Sequence, residues 1–114
     1  MEAASTLAPA SMPQHMRALE HANRVRLARA SLKRAVAAGQ VDAAAIVRDC
    51  PWEVESMTVG ELLRSQRRWG RTRARKFLLS LAVNENRELG RLTERQRGAL
   101  ASELEAKRLG RQVS

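Results

Sequence analysis

Seven cationic side chains and no carboxylate fall between residues 64 and 76: Arg64, Arg67, Arg68, Arg71, Arg73, Arg75 and Lys76. A guanidinium forks onto phosphate oxygens and base edges, so a run of this kind is chemistry for holding a polyanion. Gly70 sits inside the run, directly before an expected helix. The first amides of a helix point outward unpaired, and its dipole favours an anion there. Gly70 has no side chain, so a phosphate could approach the amides of residues 70–73, with Arg71, Thr72, Arg73 and Lys76 around it. Trp69 lies in the same turn. It could cover the core, lie on a sugar or wedge between bases, and packing is the expected role.

The rest of the charge is unevenly spread. The chain of 114 residues carries 21 Lys+Arg against 12 Asp+Glu, a net +9. Residues 24–39 add five cations and no acid, among them Arg24, Arg29 and Lys33, whereas residues 40–63 hold one arginine against five acids. A merely soluble surface mixes its signs, and segregation of this kind predicts attraction to nucleic acid. No catalytic set emerges: the acids of residues 42–61 have no His or Lys among them, and there is no Walker-type phosphate loop or G-x-S-x-G. The expectation is a binding protein and not an enzyme, with no cofactor. His15 and His21 are too few for a metal site. Cys50, the single cysteine, excludes an internal disulfide and is expected to be a small buried apolar residue. No apolar run reaches the length of a membrane span, and the first residues lack a signal peptide's pattern, so a cytoplasmic location is expected.

These cations must be positioned by helices. Residues 14–38 contain no Gly or Pro, and Ala22, Val25, Ala28, Leu32 and Ala35 recur at three or four, which predicts a long first helix stopped by Gly39. Asp42 can cap a second helix ended by Pro51, and Thr58 with Glu61 forms a capping box for a third. A fourth is expected over residues 71–83 with Ala74, Phe77, Leu78 and Leu81 inward, and a fifth from the Thr93–Gln96 box to Gly110. Trp52 is expected in the core. Strand patterns are missing, so the fold class is all-α: a disordered leader at 1–13, one helical domain over 14–110 and a tail at 111–114.

Several segments, in order, resemble the actinobacterial integration host factor family: A-R-A-S-L-K of the first helix, M-T-V-G-E-L-L, G-R-T-R-A, and N-E-N-R followed by L-T-E-R-Q. The resemblance spans about three quarters of the chain. It implies a long N-terminal helix and a compact bundle holding a helix–two-turns–helix. It also implies binding of duplex DNA through its backbone with little sequence preference, a nucleoid location, a monomer, and service beside a site-specific recombinase in phage integration. The family's glycine turn falls on Gly70, with Arg71 and Arg73 after it, and a second basic cluster falls on Arg87. Two departures stand out. The Pro-Gly-x-Gly hairpin aligns with Arg67, Arg68, Trp69 and Gly70, and a left-handed arginine would cost roughly 1–2 kcal/mol, so a reshaped hairpin and contacts through Arg67 and Arg68 are expected. Glu88, Leu89 and Gly90 follow Arg87, with Arg91 next, and a carboxylate there repels phosphate. Arg75 completes the expected contacts. G-R-T-R-A also resembles an RNA-binding small-subunit ribosomal protein, but that family's long Gly- and Arg-rich tail is missing here, which ranks an RNA-binding module second. A protein-interaction adaptor using the acidic 42–61 segment is the remaining alternative.

Overall fold

The computed structural model describes residues 13–113, so the expected leader lies, Pro13 apart, outside the described residues. Five α-helices follow in order: α1 (Gln14–Ala37), α2 (Ala43–Asp49), α3 (Val59–Arg64), α4 (Arg71–Leu79) and α5 (Glu94–Val113). Single 3-10 turns lie at Trp52–Val54 and Leu89–Arg91. Among the described residues there is no strand, only one antiparallel bridge between Thr58 and Glu88, and the fold is all-α. No helix among those residues is long and apolar enough to cross a membrane.

The helix ends follow local chemistry. Gly39 takes φ 77°, and the amides of Gly39 and Gln40 return to the carbonyls of Val36 and Ala35, a Schellman stop. Asp42 accepts from the Ala44 amide and Thr58 from the Glu61 amide. Thr93 and Gln96 satisfy each other's amides at 3.1 Å, a complete capping box.

Met57, Leu62, Leu63, Leu78, Leu89 and Leu100 are fully buried and tie α3, α4 and α5 into one core. α2 packs along α5, flanked by Arg48 on Glu105 and Arg108 on Asp42. The Arg48 hydrogen bond and charge hold the Glu105 carboxyl below its usual range. Residues 55–60 run against residues 85–90, with Val59 donating to Arg87, Gly60 to Glu85, Leu89 to Met57 and Gly90 to Glu55. A Cβ on Gly60 would stand 3.0 Å from the Glu85 carbonyl, and one on Gly90 3.0 Å from the Glu55 Cβ. Small residues are therefore required at this seam.

Several expectations are corrected. Trp52 is 51% exposed, stacked on His21 with ring centroids 5.4 Å apart, because the turn after Pro51 directs it outward toward α1. Ala22 is exposed and Val25 and Ala28 only half-buried, since this part of α1 meets chiefly the short Trp52–Val54 turn. Cys50 is half-buried in a left-handed cap with φ 40°. α4 stops at Leu79, four residues early, and Ala82 turns left-handed. α5 continues through Gly110 to Val113, so there is neither a stop at Gly110 nor a separate tail over 111–113; Ser114 lies outside the described residues.

Candidate nucleic-acid interface

The start of α4 is built by the turn before it. The Trp69 amide closes on the Gln66 carbonyl at 3.2 Å, which places Arg68 third in a β-turn, a position that favours glycine. Arg68 nevertheless holds φ 69° there, so the arginine itself takes the left-handed conformation and bears the strain. Gly70 is the N-cap with φ −92° and ψ −175°, a conformation open to any residue, and a Cβ on it would meet nothing. Glycine at 70 is therefore not required by the fold. What it leaves is open access to the α4 amides, which receive no side-chain cap.

The charge at this helix start opposes the dipole. α3 and α5 carry Glu61 and Glu94 in their first turns, as helix energetics favours. α4 has no acid there, and Arg71 and Arg73 stand at its positive end. Each such cation costs roughly 0.3–1 kcal/mol, a conflict that an anion would relieve.

Arg71, Thr72, Arg73 and Lys76 line one open groove of 780 Å³ with Gly70, Ser80 and the edges of Trp69 and Phe77. Its far wall comes from α5, through Glu103 and Lys107. Trp69 is 4% exposed and meets Phe77 edge-on, with centroids 5.2 Å apart, so the expected packing role is observed. The Arg73 guanidinium lies over the Trp69 ring at 4.3 Å.

The other expected residues divide. Arg67 lies beside the end of α1 in a neighbouring depression with Gln66 and Arg108. Arg75 faces Glu85 at 2.6 Å, and Arg64 shares that carboxylate at 3.7 Å. Arg87 and Arg91 line a separate shallow surface with Asn84 and Asn86, and Arg91 pairs with Glu88 at 3.2 Å. Leu89 and Gly90 between them serve packing. Arg24 is exposed on α1. Arg29 and Lys33 both grip Glu61, at 2.8 and 2.5 Å. Burial of Glu61 raises its carboxyl pKa, but Lys33 and Arg29 outweigh this and leave it below the ordinary value. These two cations are thus engaged within the protein. Lys107 was missed, because nothing in the local sequence of α5 signals that it faces α4. Among the described residues no three His, Cys, Asp or Glu are grouped to hold a metal.

No family model and no curated protein matches the chain. Among solved structures, sIHF bound to an 8 bp palindromic DNA matches with a TM-score of 0.68 and 24% identity, over 75% of this chain and 98% of that one. The chain has the sIHF fold.

Proposed function

We propose that this protein binds double-stranded DNA as an architectural protein, taking backbone phosphates at the start of α4. The observation that carries the reading is the α4 N-terminus itself: uncapped amides behind Gly70, with Arg71, Arg73 and Lys76 against the helix dipole and Lys107 opposite. Fold likeness to a protein solved with DNA adds support. Contacts of this type fix a protein on the duplex but carry little sequence information. The family resemblance supports a nucleoid location, action as a monomer and a place beside a recombinase, and sedimentation of the complex on a short duplex tests the stoichiometry.

The experiment is a salt titration of binding to a labelled random duplex, with structured RNA as competitor. Arg71, Arg73, Lys76 and Lys107 line the groove and Arg67 and Arg68 stand exposed in the turn before it, so with these six on phosphates log affinity against log salt should slope near −5, from about −0.9 per phosphate. Arg71→Ala with Arg73→Ala should weaken binding to every sequence alike and flatten the slope by about 2. An unchanged slope in that variant rejects the surface. Ready displacement by RNA moves the RNA-binding reading to first place, and no retention at physiological salt moves the adaptor reading there.

A further inference from the structure

We propose that Trp69 is a positioning residue for phosphate binding: its indole face holds the Arg73 guanidinium and sets the direction of that fork in the groove between α4 and α5. The inference rests on the DNA reading above. The stack is 4.3 Å deep, and the indole beneath it cannot swing, being 4% exposed and braced edge-on by Phe77. Arg73 is held differently from its neighbours. Arg64 and Arg75 are oriented by the Glu85 carboxylate, which also cancels charge. An aromatic face orients a cation without neutralising it, so Arg73 keeps its charge for a ligand. A long side chain that is ordered before binding also loses less rotamer freedom on binding.

The indole N–H supplies the second argument. It is buried and has no hydrogen-bond partner among the described residues, a cost that phenylalanine at this place would avoid. What tryptophan offers in exchange is the best aromatic face for a cation.

The test is a double-mutant cycle read by duplex titration across salt concentrations. Trp69→Leu should weaken binding about three- to tenfold with the salt slope unchanged, because no charge is removed. Trp69→Phe should fall between. Arg73→Lys, which keeps the charge but loses the planar stack, should weaken binding at the same slope. In an Arg73→Ala background, either Trp69 substitution should add no further loss. Trp69→Phe keeps a ring beside Phe77 and removes the unpartnered N–H, so it preserves the test if the leucine variant fails to fold, as thermal melting will show. Trp69 variants that bind like wild type, or that lose equally with alanine at 73, overturn the positioning role while the DNA reading stands. A wild-type chain that does not hold duplex at all sinks both.

Discussion

Arg68 occupies backbone space that glycine takes without strain, at φ 69° in the turn that delivers Trp69 and Gly70 to α4. A left-handed conformation costs an L-residue roughly 1–2 kcal/mol, and glycine forfeits about half of that relief through greater freedom in the unfolded chain. Arg68→Gly should therefore stabilise the protein by about 0.5–1 kcal/mol, read as a rise in urea midpoint at constant slope. A fall in midpoint would show that the Arg68 side chain holds the turn by contacts that outweigh its backbone strain. The same variant should bind duplex less well, since it removes an exposed cation directly before Trp69 and Gly70 of the groove. Opposite signs for stability and binding are the mark of a strained residue kept for its charge.

Between elements, a single carboxylate ties α1 to α3, beside the apolar anchorage of Val36 and Leu32 in the core. Glu61, in the first turn of α3, receives Arg29 and Lys33 from α1, with the His21–Trp52 stack farther along. Lys33 and Arg29 depress the Glu61 pKa in the folded state, overcoming the effect of burial, so its contribution to stability is complete above the ordinary carboxylate range near about 4.3. It is lost as pH falls through the lower folded value. Glu61→Gln should cost about 1 kcal/mol at pH 7, the upper end for a part-exposed pair, and progressively less toward pH 3. A cost that does not change with pH would mean that the Glu61 side chain contributes by shape and not by charge. None of this fastening was legible in the sequence, because Arg29 and Glu61 are 32 residues apart and only folding brings them together. The same holds for Arg97, whose guanidinium donates to the carbonyls of Val47 and Leu89, and for Lys107. The helices themselves were legible wherever the signal is local: Gly39, Asp42, Thr58 and Thr93 each act within one turn. Their far ends were less so. Gly110 lies inside α5 and Ala82 turns left-handed, and neither residue type dictates that. The cation cluster at α4 was legible as composition; which of its members remain available was not, since Glu85 reaches Arg64 and Arg75 from another segment.

Among the described residues, all but one of the acids are placed away from the groove between α4 and α5. Ion pairs engage Arg29, Lys33, Arg48, Arg64, Arg75, Arg91 and Arg108, whereas Arg71, Arg73, Lys76 and Lys107 share a groove with Glu103 as its one carboxylate. Like charges gathered this way destabilise the folded state through self-repulsion, and any anion that binds only the folded protein reverses that cost by mass action. Sulfate or inorganic phosphate should therefore raise the melting temperature of the wild-type chain beyond what chloride does at matched ionic strength. Part of any sulfate effect is general, because the ion is excluded from protein surfaces, so the informative quantity is the difference from Arg71→Ala with Arg73→Ala. A site occupied at ten times its dissociation constant adds about 1.4 kcal/mol, which for a domain of this size is a shift of several degrees. The variant should lose that excess and keep only the general part. Arg71→Ala alone should also melt higher than wild type in dilute chloride, because it removes a cation from the positive end of the α4 dipole and leaves the Arg73–Trp69 stack in place. Equal sulfate shifts in the wild type and the double variant would mean that the α4 start is an ordinary solvated helix end, and the phosphate site would have to be sought instead around Arg87 and Arg91.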